Sequence, residues 1–300
     1  MTVNTDTERV PYGLAVHDHE EENAVLEIIR NHKTIMGEKV KQFENEIAVL
    51  FGKKFGVMVN SGSSANLLTY EILKMPENSE VITPILTFST TLSPIIKNRL
   101  LPVFVDVEPE TYIVNIDQIE EAITKKTKAL MIPSLLGNVP DLARLRKLAD
   151  DNNLIFIEDS ADTLGATFDG KPTGVFSDFS TTSFYGSHII TAAGEGGMVC
   201  CNNKKWEEKG RIIRGWGRTS ALNESEKLDY KDLVDGYESM LRDFPRPEYQ
   251  VGILHGKMKS LDKSLEMERF INNKYYVNFD VSFNKKNILG FFEKKNIFPS

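Results

Sequence analysis

The sequence predicts an α/β fold built on a mostly parallel sheet of seven strands. Short runs of apolar and β-branched residues alternate with segments in which apolar residues recur every three or four positions, the spacing typical of helices. Helices placed between consecutive strands allow the strands to run parallel, with both faces of the sheet covered. No internal repeat or low-complexity segment interrupts this alternation.

Each predicted strand is a short apolar run that ends at polar or turn-forming residues. The seven runs cover residues 57–60, 80–84, 102–107, 129–134, 154–159, 178–185 and 196–201. Helical spacing and helix-start residues such as serine, aspartate and a leading proline predict the helices. These helices cover residues 23–32, 40–51, 65–73, 116–123 and 141–151.

The residues after the seventh strand indicate a second, smaller unit. Residues 219–247 are polar and irregular, which predicts a long surface loop. Leucine and methionine recur at helical spacing within 249–276, which predicts a helix there. We therefore expect a large domain over residues 1–245, with a helical segment at its N-terminus, and the start of an incomplete small domain over residues 246–300.

Composition excludes several classes of function. The 300 residues include 36 Lys and Arg against 43 Asp and Glu, a net charge of -7, which argues against a nucleic-acid partner. Neither a secretory leader nor an apolar run long enough to span a bilayer is present, so no membrane association is predicted. The two cysteines, Cys200 and Cys201, are adjacent and provide neither a disulfide framework nor metal-ligand spacing. We expect a cytoplasmic protein without a metal, in which both cysteines end a buried strand.

Three segments place polar residues at the ends of predicted strands, where parallel sheets bind ligands. Residues 60–66, Asn-Ser-Gly-Ser-Ser-Ala-Asn, lead from a strand into a helix whose first backbone amides suit a phosphate, although serine is also a common N-cap. Asp159 ends an apolar strand, where a carboxylate can hold a protonated ring nitrogen or cap the next helix. Ser183 ends another strand and is followed by His188 and by a glycine-rich turn at 194–197; an isolated histidine is more often structural than catalytic.

Together these segments resemble the sugar aminotransferase and dehydratase family of fold-type-I pyridoxal-phosphate enzymes. The resemblance extends from about Gly37 to Gly252 and includes several motifs in the family's order. These are 36–38 (Met-Gly-Glu), 43–44 (Phe-Glu), 61–68, 135–138 (Leu-Leu-Gly-Asn), 158–159 (Glu-Asp), 165–166 (Gly-Ala), 183–185 (Ser-Phe-Tyr), 194–197 and 246–248 (Arg-Pro-Glu). The resemblance implies the fold-type-I architecture and a bound pyridoxal or pyridoxamine phosphate.

The resemblance also implies a role for each matching cofactor residue. Gly62, Ser63 and Ser183 would hold the cofactor phosphate. Phe88 would stack on the pyridine ring. The serine and threonine residues that flank Phe88 favour a position at the rim of the site for its side chain over a position in the hydrophobic core. Asp159 would pair with the pyridine nitrogen and keep the ring electron-poor.

Contacts with the rest of the substrate are implied less specifically. The candidate substrate-binding residues are Gly37, Arg214, Arg218 and Arg246. The arginines at 214 and 218 suit a nucleotide diphosphate, and a solvated helix face is the alternative. Family members are homodimers with active sites completed across the interface, which implies a homodimer here.

Two departures from the aminotransferase pattern determine the predicted reaction. The family's aminotransferases carry lysine where His188 stands, and glutamine or histidine where Asp162 stands. A lysine amine can bond covalently to the cofactor aldehyde, whereas imidazole cannot form the equivalent bond. No lysine lies between Lys171 and Lys204 to replace it. An acidic residue at 162 with histidine at 188 resembles the pyridoxamine-phosphate-dependent nucleotide-sugar 3-dehydratases and places Asp162 among the cofactor-binding residues.

The implied reaction removes the 3-hydroxyl of a nucleotide-linked 4-keto-6-deoxyhexose. His188 would be the catalytic acid and base, because imidazole accepts and donates protons near neutral pH. Two cysteines are too few to ligate an iron-sulfur cluster, which favours an amino donor such as glutamate for regenerating the cofactor. Two alternatives stay open: an aminotransferase that recruits a lysine from elsewhere, and a non-catalytic truncated paralogue.

Overall fold

The computed structural model describes residues 16–222, 251–255 and 277–281. All seven predicted strands form one sheet, with two additional short strands making a hairpin beside it. In chain order, the strands are β1 (Phe55–Val59), β2 (Glu80–Pro84), β3 (Leu101–Val105), β4 (Thr127–Pro133), β5 (Ile155–Asp159), β6 (Thr167–Phe168), β7 (Lys171–Pro172), β8 (Phe179–Ser183) and β9 (Gly197–Cys201). The sheet order is β1-β9-β8-β5-β4-β2-β3.

Only β9 runs against its neighbours in this sheet. It pairs antiparallel with β1 and β8, whereas the pairs β8–β5, β5–β4, β4–β2 and β2–β3 are all parallel. The mostly parallel seven-stranded sheet confirms the predicted α/β architecture. The hairpin of β6 and β7 escaped prediction because each strand has only two residues, too few for an alternation pattern.

Seven α-helices are described. They are α1 (His19–Arg30), α2 (Glu38–Leu50), α3 (Gly62–Leu73), α4 (Ser89–Lys97), α5 (Ile116–Ala122), α6 (Leu142–Asp151) and α7 (Lys204–Arg214). Five of them match the predicted helices, with shifted ends. Helix α4 was not predicted, because it opens with Ser-Thr-Thr and contains Pro94, residues that disfavour helix on local grounds.

The centre of the sheet is buried on both faces. Every residue of β8 and β9 is buried, including Cys200 and Cys201, which confirms that the cysteines end a buried strand. Phe179 of β8 stacks on Trp206 of α7, with ring centroids 4.5 Å apart. This packing covers the sheet beneath the strands that carry the candidate site.

A buried glutamate joins α2 and α7 to β1. The carboxylate of Glu44 is 1% exposed; its Oε1 accepts hydrogen bonds from the Met58 amide at 2.8 Å and from Arg214 at 2.6 Å. Its Oε2 accepts a hydrogen bond from Arg211 at 2.8 Å. Because a buried carboxylate must be paired, these contacts fix the positions of both helices against the sheet.

The chain divides into two compact units, Met1–Gly217 and Arg218–Ser300. The second contains the parallel strand pair β10 (Val251–His255) and β11 (Val277–Val281). The helix predicted over 249–276 is therefore wrong at 251–255: branched aliphatic residues in this stretch pair as a strand despite their helical spacing. The rest of that range, most of the predicted loop and the predicted boundary at 245/246 lie outside the described residues, so the two-domain division stays a prediction. None of the described helices has the length and apolarity to cross a membrane.

Candidate functional site

The candidate site lies where β5 and β8 end and α3 begins. Asp159 is the last residue of β5, Ser183 is the last residue of β8, and Gly62 is the first residue of α3. The parallel pairing of β5 and β8 brings their carboxyl ends to one edge of the sheet. This edge is the ligand-binding edge of open parallel sheets.

The start of α3 forms a closely packed turn against Ser183. The Ser61 hydroxyl oxygen accepts a hydrogen bond from the Ser64 amide at 3.1 Å and so caps the helix. The amides at the first helical positions have no partner within the helix and carry the positive end of its dipole. The Ser63 hydroxyl donates to Thr90 at 2.9 Å, which ties this turn to α4.

The start of α3 packs closely against Ser183 because Gly62 has no side chain. A Cβ atom at Gly62 would lie 2.6 Å from the Cβ of Ser183 and 3.1 Å from its Oγ, well inside van der Waals contact. The backbone of α3 therefore approaches the Ser183 hydroxyl closely, and both present donors at one place. The predicted phosphate residues Gly62, Ser63 and Ser183 are brought together, in an arrangement suited to an oxyanion.

Asp159 is held by donors from three segments. Its Oδ2 accepts hydrogen bonds from Asn66 Nδ2 at 2.9 Å and from Thr91 Oγ1 at 2.8 Å. Its Oδ1 accepts a longer hydrogen bond from the Ala161 amide at 3.3 Å. A carboxylate has about four acceptor positions, so Oδ1 retains capacity for a further donor such as a ring N–H.

Burial and hydrogen bonding act in opposite directions on this carboxyl group. Burial raises the pKa of Asp159, and the hydrogen bonds from Asn66 and Thr91 partly lower it again. The nearby charge of Asp162 adds to the rise. An acid in this environment is stabilised as an anion chiefly by its donors and by any cationic ligand beside it.

Asp162 lies between a backbone turn and the predicted catalytic histidine. Its Oδ2 accepts a hydrogen bond from the Leu136 amide at 3.0 Å, and its Oδ1 lies 4.0 Å from Nε2 of His188. The Tyr185 ring contacts the His188 ring edge-on, with centroids 5.8 Å apart. Of the two ring nitrogens of His188, Nε2 is the one that faces the Asp162 carboxylate. Nδ1 is buried and has no hydrogen-bond partner within the described part of the chain.

Phe88 lies at the rim of the site. It is the residue immediately before α4, and its side chain is 67% exposed. Helix α4 then provides Thr90 and Thr91, which contact Ser63 and Asp159. Phe88 is thus an exposed ring next to the two segments that hold the predicted phosphate and ring-nitrogen residues, and its stacking role stays a prediction.

The predicted substrate-binding residues do not cluster at one place, unlike the predicted cofactor-binding residues. Gly37 is the exposed residue that precedes α2. Arg214 is bonded to the buried Glu44 and to the carbonyl oxygen of Met58, and its side chain is only 8% exposed. Arg218 is partly buried in the second unit, and Arg246 lies outside the described residues. Their contacts with substrate stay predictions.

Asn66 and Thr91 are the site residues for which the sequence analysis proposed no role. Asn66 is 3% exposed and lies one turn beyond Gly62, on the same face of α3. The available signal for Asn66 was its position one helical turn after Gly62, in the segment that was predicted to bind phosphate. No comparable signal exists for Thr91, because its helix was not predicted.

Comparison with known proteins assigns the chain to a family. A model of the DegT/DnrJ/EryC1/StrS aminotransferase family matches residues 16–286. The GDP-4-keto-6-deoxy-D-mannose 3-dehydratase of Yersinia pseudotuberculosis is 34% identical over 273 residues, which are 86% of this chain and 69% of that protein.

Solved structures of two kinds share the fold. GDP-4-keto-6-deoxymannose-3-dehydratase with a trapped PLP-glutamate geminal diamine gives a TM-score of 0.68 at 32% identity, covering 71% of this chain and 57% of that one. The aminotransferase from Psychrobacter cryohalolentis gives a TM-score of 0.67 at 28% identity, covering 73% of this chain and 56% of that one. The chain thus spans little more than half the length of these two structures. Its fold is the fold-type-I architecture, as the motifs implied, and the chain belongs to the DegT/DnrJ/EryC1/StrS aminotransferase family.

Proposed function

We propose that this chain is a pyridoxamine-phosphate-dependent nucleotide-sugar 3-dehydratase. The reaction removes the 3-hydroxyl from a nucleotide-linked 4-keto-6-deoxyhexose, as a step in deoxysugar synthesis. The pair of Asp162 and His188 carries the proposal. Their side chains approach to 4.0 Å beside the Asp159 site, in a stretch of sequence where no lysine lies between Lys171 and Lys204.

The described residues fit the phosphate and the ring nitrogen of the cofactor. Gly62, Ser63 and Ser183 would hold the phosphate at the start of α3, and Asp159 Oδ1 would accept a hydrogen bond from the ring N–H. When bound, the cofactor supplies an amine that condenses with a ketone and an electron-poor ring that stabilises charge on the neighbouring carbon. Ser183 and Asp159 are at the ends of adjacent strands, so they would fix both ends of the ring system.

His188 would move the proton. Its Nε2 would accept a proton from the carbon that bears the cofactor amine and then deliver it to the 3-hydroxyl, which would leave as water, so that one imidazole acts as base and acid. The carboxylate of Asp162, facing Nε2, would stabilise the protonated ring and orient it. The Leu136 amide holds Asp162 in place through the other carboxylate oxygen. General acid-base catalysis of this kind typically contributes about 10²–10⁴-fold to a rate.

The relatives support the substrate and the amino donor. The Yersinia relative is a GDP-linked 4-keto-6-deoxy sugar dehydratase, and a structural neighbour holds cofactor joined to glutamate. We infer a nucleotide-linked sugar as substrate and glutamate as the donor that regenerates the cofactor. A homodimer is part of the same proposal, as the family resemblance implies.

Aminotransferase activity is the second candidate. The aminotransferase of Psychrobacter cryohalolentis matches this chain about as well as the dehydratase structure does. This activity would require a lysine from outside residues 172–203 to bond the cofactor. The buried Lys53 does not serve, because its Nζ donates to the Ser177 carbonyl oxygen.

The two candidates differ in whether cofactor becomes attached to the protein. The full 300-residue chain is incubated with pyridoxal phosphate, reduced with borohydride and weighed by mass spectrometry. We expect no covalent adduct for the wild type and an adduct for His188→Lys, because lysine restores the bonding amine. A persistent adduct on the wild-type chain would select the aminotransferase.

Product analysis completes this test. With pyridoxamine phosphate, glutamate and a GDP-linked 4-keto-6-deoxy sugar, wild-type chain should release water from the sugar. His188→Asn should lower that rate by about 10²-fold or more while binding cofactor normally. His32→Asn, at an exposed histidine after α1, is the matched control and should behave as wild type. An unchanged rate in His188→Asn would remove His188 from the reaction, and bound cofactor with no turnover by the wild type would favour the non-catalytic paralogue.

A further inference from the structure

A buried series of hydrogen bonds leads from β8 through α3 to Asp159. Thr181 Oγ1 donates to Asn66 Oδ1 at 2.6 Å, and Asn66 Nδ2 donates to Asp159 Oδ2 at 2.9 Å. The exposed fractions of these residues are 1%, 3% and 9% for Thr181, Asn66 and Asp159. Three separate elements thus contribute to one polar contact within the core.

The contacts of Asn66 assign the orientation of its amide. The Nδ2 atom lies between two acceptors, Asp159 Oδ2 and the Thr90 carbonyl oxygen at 3.3 Å. The opposite orientation would place Oδ1 against both of these oxygens, which is repulsive. These two acceptors fix the orientation of the amide. The Thr181 hydroxyl, which can donate or accept, then supplies the donor that Oδ1 needs.

We propose that Asn66, whose Oδ1 is held by the Thr181 hydroxyl, is a positioning residue that keeps Asp159 ionised and reserves the Oδ1 of Asp159 for the ring nitrogen of the cofactor. Asn66 and Thr91 together occupy Oδ2. The remaining acceptor positions are on Oδ1, where the only described donor is the distant Ala161 amide. This proposal rests on the proposed function, because it assigns the cofactor to the Asp159 site.

The proposal explains how a carboxylate stays charged at this depth. Without the Asn66 donor, a buried Asp159 would be stabilised as the neutral acid. A neutral acid would no longer hold a proton on the ring nitrogen, because its O–H group would donate a hydrogen bond to the unprotonated nitrogen and keep its own proton. The ring would then withdraw electrons less strongly, although the cofactor phosphate would remain bound.

The test measures the protonation of the ring nitrogen directly. Pyridoxamine phosphate labelled with ¹⁵N in the ring is bound to the full chain, and the ¹⁵N chemical shift reports whether that nitrogen carries a proton. Three variants are compared. Asn66→Leu removes the amide, and Thr181→Val removes the hydroxyl that donates to Asn66 Oδ1. Thr181→Ser keeps that hydroxyl. Thr182→Val is the control, because Thr182 Oγ1 makes a comparable buried hydrogen bond to the Ser160 carbonyl oxygen.

We expect a protonated nitrogen in the wild type, Thr181→Ser and Thr182→Val. Asn66→Leu should shift the signal to the neutral form and raise the dissociation constant for pyridoxamine phosphate about tenfold. Thr181→Val should change the ¹⁵N chemical shift and the dissociation constant in the same direction, by a smaller amount. If Asn66→Leu does not fold, the comparison of Thr181→Val with Thr181→Ser decides. Thr181→Val removes the hydroxyl at nearly unchanged volume, whereas Thr181→Ser keeps the hydroxyl and removes a methyl group.

Each remaining outcome has a distinct meaning. A protonated nitrogen in Asn66→Leu, or equal shifts in Thr181→Val and Thr182→Val, would overturn this inference and leave the proposed function standing. A wild-type chain that does not bind the cofactor would overturn both.

Discussion

At the scale of single residues, Asp159 provides the sharpest test of the site. Asp159→Asn removes a charge and keeps the shape, and the new amide can still present an oxygen to Asn66 and Thr91. Its NH₂ group would then face the ring N–H, donor against donor. We expect cofactor binding to weaken by about 1.5–3 kcal/mol, the usual contribution of a hydrogen bond to a charged group, with little change in thermal stability.

Titration calorimetry with pyridoxamine phosphate and a thermal melt separate these two effects. Asp178→Asn is the control, because Asp178 holds Arg146 and the Phe156 amide at the opposite end of the neighbouring strands. This control should lower the melting temperature without changing cofactor affinity. The helix-cap alternative for Asp159 is wrong, because turns and then β6 follow β5 in the structure. Unchanged affinity in Asp159→Asn would leave Asp159 with a structural role only, as the acceptor for Asn66, Thr91 and the Ala161 amide.

At the scale of elements, the contact between α3 and β8 depends on the missing side chain of Gly62. Gly62→Ala would force the start of α3 away from Ser183, because the new Cβ would lie 2.6 Å from the Cβ of Ser183. We expect a stability loss of about 1–3 kcal/mol from overpacking, together with weaker binding of inorganic phosphate and of the cofactor.

Chemical denaturation and phosphate titration measure the two consequences. Gly186→Ala is the matched control: it lies three residues beyond Ser183, and a Cβ there would meet no atom within 4 Å. Phosphate affinity in Gly62→Ala equal to that of Gly186→Ala would show that the α3 turn does not hold the phosphate.

Elements were predictable from the sequence where local pattern and tertiary environment agree. All seven strands of the sheet were found because each is a short run rich in apolar or β-branched residues and bounded by turn-forming residues. Helix α4 was missed because its stability comes from packing, with Thr91 and Ile95 buried, rather than from its residues' propensities. The predicted helix after residue 249 failed at β10, where pairing with a strand more than 20 residues away decides the conformation.

The site was predictable for similar reasons. Gly62, Ser183 and Asp159 were placed at strand and helix ends, and the structure brings them to one edge of the sheet. The role of Arg214 could not be read from the sequence, because its partner Glu44 is far away in the chain. The orientation of Asn66 likewise depends on residues from two other elements.

At the scale of the whole molecule, a buried lysine and a buried glutamate on the other side of β5 link stability to pH. Lys53 is 5% exposed and Glu158 is 1% exposed; the Ser180 hydroxyl donates to Glu158 Oε2 at 3.0 Å. Burial lowers the pKa of Lys53, and the charges of Glu158 and Asp178 oppose this. Burial raises the pKa of Glu158, and hydrogen bonds and the charge of Lys53 oppose that rise.

Lys53→Met should therefore lower the free energy of unfolding most at high pH. It removes the nearby charge that opposes the rise of the Glu158 pKa, and it leaves the buried Ser177 carbonyl oxygen without the Lys53 donor. A buried polar group left without its partner typically costs about 1–3 kcal/mol. The folded variant would bind the Glu158 proton more tightly than the unfolded chain does, so its stability should fall as pH rises above the ordinary value of 4.5. Urea unfolding at several pH values from 5 to 8 measures this slope.

Two variants control this measurement. The double variant Lys53→Met with Glu158→Gln removes both charges. It should recover much of the lost free energy of unfolding and remove most of its dependence on pH. Lys147→Met breaks an exposed pair with Asp151 and should leave the unfolding midpoint unchanged. A pH-independent loss in Lys53→Met alone would show that packing, and not the charge of Glu158, accounts for the effect.

The position of β9 between β1 and β8 has a consequence for biosynthesis. In the described sheet β1 pairs only with β9, and about 140 residues separate the two strands along the chain. At a ribosomal rate on the order of 10 residues per second, β1 is synthesised more than about ten seconds before β9, the strand with which it pairs. During that interval its backbone groups are an open template for neighbouring chains, so the yield of native protein should depend on how well nascent chains are kept apart.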